Sequence, residues 1–219
     1  MNHLKIYESR FQGINHTKKT LVWKELSKWL FYKCLNNPEK ILDPAGGMCE
    51  FINSVPAKEK WVIDMEEEFI KKHVAENVKI LVGSNLKVEI PRNYFDGIFV
   101  SNFLEHLKSQ EEVALFLKRM YNSLKQGGRI AIMGPNFKYC YREYFDFADH
   151  SVILTELSLA EHLYGAGFEI VKIIPRFFPL SFRSGSQLPV TSSIIKAYLT
   201  IPIVWRIMGK QFLLIGKKQ

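Results

Sequence analysis

Residues 41 to 51 read ILDPAGGMCEF, and this stretch sets the terms for the rest of the chain. A short apolar strand, Ile41 and Leu42, runs into an acid, Asp43, and then into a glycine pair, Gly46 and Gly47. Paired glycines permit a tight turn and let a ligand approach the backbone closely. A helix beginning near Cys49 would aim its free N–H groups at the same place. Loops that hold nucleotide cofactors begin this way, and so do plain strand-to-helix turns. Ala45 and Cys49 stand where such cofactor loops usually carry glycine.

Working outward, strands and helices alternate. A helix is expected over 14–36, with Leu21, Val22, Leu26, Trp29, Leu30 and Lys33 at helical spacing and Asn36-Asn37-Pro38 as its stop. Strands are expected at 40–43, 60–65, 78–83, 95–103, 129–134, 168–174 and 210–218. Between them fall a short helix near 50–54 and one with an acidic first turn over 66–77. Another starts at Ser109, with capping-box spacing to Glu112, and is expected to end at Gly127-Gly128. A further helix covers 155–164. The central strands, IFV and IAIM, are apolar throughout, as strands covered on both faces must be. This pattern is α/β: a doubly wound, Rossmann-like, mostly parallel sheet with helices on both faces. One domain is expected over 1–219, with an N-terminal helical cap (1–37), a core (38–175 and 210–219) and an insertion (180–209). Pro202 interrupts the helix-like piece of that insertion.

A chain of 219 residues, 47% hydrophobic and 24% charged, can bury one sizeable core. MNHLKIYESR lacks the features of a signal peptide, and no apolar run is long enough to span a bilayer. Cys34, Cys49 and Cys140 show no paired spacing, so they read as reduced thiols of a cytoplasmic protein, with no zinc site or other metal centre expected. The net charge is +8, and the eight basic residues from Ile170 onward face no acid in that segment. Such a tail fits an anionic partner (nucleic acid, a phosphorylated substrate or an anionic lipid surface) or simply a solvated face.

In folds of this kind ligands bind beyond the carboxyl ends of the strands. Asp64, after the second strand, can accept hydrogen bonds from both hydroxyls of a ribose. Met65 could cover an adenine face or sit in the core. Ser84, Asn85 and Leu86 could meet the adenine edge or make a turn. Ser101 and Asn102 follow the fourth strand and face the crevice. Glu105-His106 reads as a base or ligand pair, or as a cap orienting neighbouring loops. The segment 137–155 is rich in Tyr and Phe with Asp146, Asp149 and His150 among them, which suits a substrate pocket.

Together these loops resemble the class I S-adenosylmethionine-dependent methyltransferases of small-molecule type. The resemblance covers about residues 38 to 175 and the final strand. LDPAGGMCEF aligns with the family's first motif, with Ala45 at the first glycine, Gly47 at the middle one and Cys49 at the third. VIDM, NYFDGIFVSNFLEHL, LKQGGRIAIMGPN and HLYGAGFEIVKI follow in the family's order. The resemblance implies a seven-stranded sheet whose last strand is antiparallel. It implies S-adenosylmethionine as cofactor, S-adenosylhomocysteine as product, and a cofactor site built from Asp43, Ala45, Gly46, Gly47, Asp64, Met65, Ser84, Asn85, Leu86, Ser101 and Asn102. Ser84 stands where the family often has an acid for the adenine amino group. Ala45 is tolerable if its φ is negative, and Cys49 falls near the helix start. An N-terminal segment, here with Tyr7 and His16, often closes over the cofactor in this family. A dinucleotide-dependent oxidoreductase would want G-x-G-x-x-G, which AGGMCE does not supply.

Methyl transfer is an in-line displacement at a sulfonium, so alignment and exclusion of water dominate. An oxygen nucleophile also needs a base near neutrality. His150 is the first candidate and His106 the second, while His73 and His162 read as structural. The Asn/Asp-Pro-Pro-aromatic motif of enzymes acting on base amino groups is missing after the fourth strand, as is a Pro-Cys nucleophile. The expected reaction is O-methylation of a small acceptor bearing a sugar or phosphate. The alternatives are a nucleic-acid methyltransferase using the basic tail, and a non-catalytic subunit. The latter would dock on a protein or an anionic membrane through Ile194, Ile195, Leu199, Ile201, Val204 and Trp205, unless these pack on the sheet edge.

Overall fold

The computed structural model describes residues 16–179 and 190–219. The expectations for Tyr7, for the first two residues of the N-terminal helix and for 180–189 lie outside the described residues. Seven strands form one sheet: β1 Lys40–Asp43, β2 Glu59–Asp64, β3 Val78–Val82, β4 Phe95–Ser101, β5 Leu124–Pro135, β6 Phe168–Phe178 and β7 Gln211–Lys218. Their spatial order is β3-β2-β1-β4-β5-β7-β6. β1 to β5 pair in parallel, and β7 runs antiparallel between β5 and β6. The antiparallel last strand and the seven-stranded count agree with the sequence reading.

Continuous apolar runs are required because the sheet separates two cores. Side chains alternate across a strand, so Ile41, Val62, Phe99 and Met133 join one core while Leu42, Ile63, Ile98 and Ile132 join the other. On the first face lies α1 (His16–Trp29), prolonged by a π-helical turn at Leu30–Cys34, with α2 (Glu50–Ser54). α7 (Ser192–Thr200) and α8 (Pro202–Met208) share that face. Trp205 sets its ring edge against Phe177 and Trp29 there. The second face is covered by α4 (Gln110–Ser123) and α6 (Glu156–Ala166), through Phe116, Leu117, Met120, Leu159 and Leu163. α3 (Glu67–His73) lies between β2 and β3 in the chain, and α5 (Phe137–Cys140) follows β5.

Several boundaries differ from the sequence reading. α4 ends at Ser123, not at the glycine pair, because Leu124 is fully buried and already pairs with Phe95 in the sheet. Gly127, at φ 79°, lies inside β5 where the ladder slips between Phe95 and Gly97. At the other end of α4 the Ser109 hydroxyl accepts from the Glu112 amide at 3.3 Å, as the spacing predicts. The Glu112 carboxylate, however, accepts from the Lys108 amide at 2.8 Å. α3 stops at His73, short of 77, and β6 runs on to Phe178. Pro202 occupies the first turn of α8, the position where its missing N–H costs nothing. Of the insertion's apolar residues, Ile195, Leu199 and Trp205 are buried, whereas Ile194 and Ile201 are exposed.

The C-terminal bases do not form one free face. Arg176 donates to the carbonyls of Gly209 and Ile207, both at 2.8 Å. Lys210 pairs with Glu143, and Lys218 donates to the Leu124 carbonyl and to Asn93.

The register places the functional loops. Asp43 stands opposite Val62, Asp64 opposite Val82, and Ser101 opposite Met133. The parallel strands therefore finish along one edge. The strand order reverses between β1 and β4, which opens a crevice at that edge.

Candidate active site

The glycine loop shows why each residue is there. A Cβ on Gly46 would sit 2.3 Å from Val62 Cγ2, so this glycine lets the loop pack on β2. Gly47 has φ 50°, and a Cβ there would meet nothing within 4 Å. One glycine serves the core and the other lines open space. Ala45 keeps a negative φ, the condition under which its methyl is tolerated. Cys49 is the N-cap of α2 and adopts the left-handed conformation at φ 59°, with its side chain fully buried. That conformation costs a non-glycine residue about 1–2 kcal/mol.

Two carboxylates face this loop. Asp43 is 3% exposed and accepts from the Ala45 amide at 3.2 Å. Burial pushes its carboxyl up to about 7, the charges of Asp64 and Glu50 add to the rise, and the Ala45 N–H opposes it. Asp64 accepts from the Glu66 amide at 2.9 Å, and the amides of Gly47 and Met65 also point at it. Its carboxyl too is raised, by burial above all. Met65 is 57% exposed beside it, so of its two sequence readings the core one fails.

After β3 the Ser84 hydroxyl accepts from the Leu86 amide at 3.3 Å and makes a turn. Asn85 is buried, donates its side-chain amide to the Pro44 carbonyl, and holds its Oδ1 without a hydrogen-bond partner. Arg119, which the sequence gives no reason to single out, fixes this turn by donating to the carbonyls of Asn85 and Val88. After β4, Asn102 is left-handed (φ 48°), donates its amide to Met133 O at 2.9 Å and its side chain to Ser101 Oγ at 3.0 Å.

The loops after β4 and β5 converge. The Glu105 carbonyl accepts from the amides of Ser151 and Val152, so the sequence reading of this pair as a loop organiser holds for its backbone. Its side chain does something else. It is 3% exposed and shares a cluster with His106 and His150, in which a carboxylate oxygen and one nitrogen of each ring lie within 4.8 Å of one another. Asp149 Oδ2 lies 3.2 Å from His106 Nδ1, and His106 Nε2 lies 4.0 Å from Glu105. His150 stacks on Phe147 at 4.8 Å and meets the edge of Tyr144 at 4.7 Å. The donor set can hold a proton or a divalent cation.

α1 reaches the loop from the other side. Lys19 is buried and pairs with Glu50 at 2.5 Å, with Met48 Sδ 3.4 Å away. A cavity of about 250 Å³ opens there, lined by His16, Lys19, Met48, Glu50 and His73. A larger groove of about 710 Å³ between α4 and α6 lies away from the crevice. His162 lines it and bonds Gln110 at 2.7 Å, while His73 bonds the Phe69 carbonyl at 2.8 Å.

Residues 42–132, from β1 to β5, match the methyltransferase domain family. Over that stretch the chain is similar to a methyltransferase domain. No curated protein matches the chain in sequence. Among solved structures, a SAM-dependent methyltransferase from Archaeoglobus fulgidus is 23% identical, with 89% of this chain and 94% of that one covered at a TM-score of 0.63. One from Thermotoga maritima is 19% identical, with 98% and 99% covered at 0.66. One from Mesorhizobium loti is 14% identical, with 82% and 90% covered at 0.57. At such identities these likenesses show the fold. The methyltransferase family's cofactor is S-adenosylmethionine. The crevice suits it: open space at Gly47, a carboxylate at the end of β2 and a buried acceptor on Asn85. Among the described residues, no helix is long and apolar enough to cross a membrane.

Proposed function

We propose that the protein transfers the methyl group of S-adenosylmethionine to a hydroxyl oxygen of a small acceptor bearing a sugar or a phosphate. The observation that carries this reading is the meeting of Glu105, His106 and His150 under an aromatic loop, at the edge that also holds Gly47 and Asp64. Bound in the crevice, the cofactor supplies an electrophilic methyl on a sulfonium. Asp64 would receive the ribose hydroxyls, and the bare Gly47 would let the chain of the cofactor lie against the loop. Met65 would cover the adenine and Ser84 to Leu86 would border its edge, while Asp43 holds the loop by accepting from the Ala45 amide. Ser101 and Asn102 close the crevice toward the acceptor. His150 takes the acceptor's proton, and His106, oriented by Asp149, is the second group able to do so. The buried Glu105 carboxylate favours the imidazolium that results. Phe147 and Tyr144 keep water from the reacting oxygen.

The internal pairing of Arg176, Lys210 and Lys218 weighs against the nucleic-acid alternative, because those cations are already engaged. Calorimetric titration with S-adenosylmethionine and S-adenosylhomocysteine, beside an Asp64→Ala variant, tests the cofactor site. Both ligands should bind the parent, and the variant should bind at least about tenfold more weakly through loss of charge-assisted hydrogen bonds. Absence of heat with either ligand would remove the catalytic reading. Transfer of labelled methyl to sugar phosphates, nucleotide sugars or RNA then sorts the acceptors, and labelled RNA alone would refute the small-acceptor reading.

A further inference from the structure

The acceptor end of the molecule carries an apolar surface of its own. α8 exposes Ile203 and Ile207, one helical turn apart, at 58% and 72%, with Met208 beside them. The loop after β5 exposes Tyr141 and Phe145, at 54% and 62%. Both pieces stand at the carboxyl edge of the sheet. β7 begins at Gln211, directly opposite Pro135, where β5 ends.

The two pieces are also tied together. Lys210 pairs with Glu143, and the Asn136 amide donates to the Lys210 carbonyl at 2.9 Å. Arg176 holds the Ile207 and Gly209 carbonyls and lies over the Tyr139 ring at 4.8 Å. Loop and helix are therefore presented as a unit. Isolated exposed apolar side chains need no explanation, but a grouped set at one edge does.

The charges around it have one dominant sign. Arg142 and Arg206 are exposed, and no acid occurs from Ile170 to the end. The acids of the loop tip are Glu143, held by Lys210, and the exposed Asp146. Exposed isoleucines and phenylalanine, a tyrosine and flanking arginines are what a lipid interface selects. Apolar groups enter the acyl boundary, tyrosine sits at headgroup depth, and arginines meet phosphates. α8 has seven residues and is about 10 Å long, so it can lie in the interface and cannot cross it.

We propose that this surface docks on an anionic lipid bilayer, so that the crevice opens toward an amphiphilic acceptor held at the membrane. The class of acceptor rests on the function proposed above, whereas the docking surface rests on its own residues. The test is flotation of the whole protein with phosphatidylcholine vesicles and with vesicles containing phosphatidylglycerol, across a salt series. Expected are binding to the anionic vesicles that weakens with salt, and a loss of about tenfold or more in Ile203→Asp/Ile207→Asp. Arg206→Glu should lose part of the binding and leave calorimetric binding of S-adenosylmethionine unchanged, as should the double variant. No flotation with anionic vesicles at low salt overturns the docking and leaves the methyl-transfer reading standing. Equal flotation of the double variant also overturns it. So does a parent that sediments as a dimer and a double variant that sediments as a monomer, which would make the surface a contact between copies.

Discussion

The side-chain amide of Asn85 donates to the Pro44 carbonyl, 41 residues away in sequence. That contact fastens the turn after β3 onto the glycine loop after β1. The Asn85 Oδ1 is left buried and without a hydrogen-bond partner. Asn85→Ala should lower stability by about 1–3 kcal/mol, the cost of stranding a buried carbonyl, and weaken S-adenosylmethionine binding. Asn85→Asp should be worse, since a carboxylate cannot donate to Pro44 and adds charge beside Asp43. Thermal unfolding and calorimetry on both variants check this, and an Asp variant that binds like the parent would refute the contact's role.

Gly46 and Gly47 should respond oppositely to the same methyl group. Gly47→Ala enters open space, so the fold should lose only about 1–2 kcal/mol from its left-handed φ. Cofactor affinity should collapse, because the new methyl projects into the crevice. Gly46→Ala collides with Val62 and should cost about 1–3 kcal/mol of stability by overpacking. Melting temperatures set beside binding isotherms separate the two.

Asp43 makes stability depend on pH in an unusual direction for an acid. Its carboxyl moves from 3.8 in the unfolded chain to about 7 in the fold. Between those values the folded chain holds a proton that the unfolded chain has released. Stability attributable to this group therefore falls as pH rises through that window and is recovered toward pH 4. Asp43→Asn should flatten the slope of melting temperature against pH over that range. S-adenosylmethionine brings two positive groups, so its binding below neutrality should release a proton. Titrations in buffers of different ionisation enthalpy detect that release.

His150→Ala should reduce kcat about 10²–10⁴-fold near neutral pH, as loss of a general base does, with cofactor binding unchanged. His106→Ala and Asp149→Asn should have smaller effects and should shift the pH–rate profile, since Asp149 touches the reaction only through His106. Equal turnover in the His150 variant would move the base elsewhere.

Much of this was legible in the sequence because local rules and the fold agree there. The alternating elements, the acid at the end of β2 and the break at Pro202 are each set by neighbours in the chain. Gly127 and Gly128 were misread for a physical reason. Glycine announces that the backbone must bend but not whether a helix or a strand is bending, and burial of Leu124 against β4 decided it. Glu105 and His106 were legible as a pair, but not their meeting with His150, since the loops after β4 and β5 come together only once those strands have paired. Lys19 reaching Glu50 and Arg119 holding the turn at Asn85 left no periodic trace, because a single long side chain bridging two elements creates no pattern.

The position of β7 bears on how the molecule is made. It is translated after β6 but lies between β5 and β6. During synthesis β6 therefore waits without a partner strand, and β5 presents an open edge, until β7 leaves the ribosome. Strands β1 to β4, which carry Asp43, Asp64 and Ser101, can pair before that moment. The loop after β5 takes its last anchor only later, since the Asn136 amide needs the Lys210 carbonyl. A nascent chain should thus acquire its cofactor crevice before its acceptor pocket, and the exposed β5 and β6 edges make that interval the one most open to aggregation.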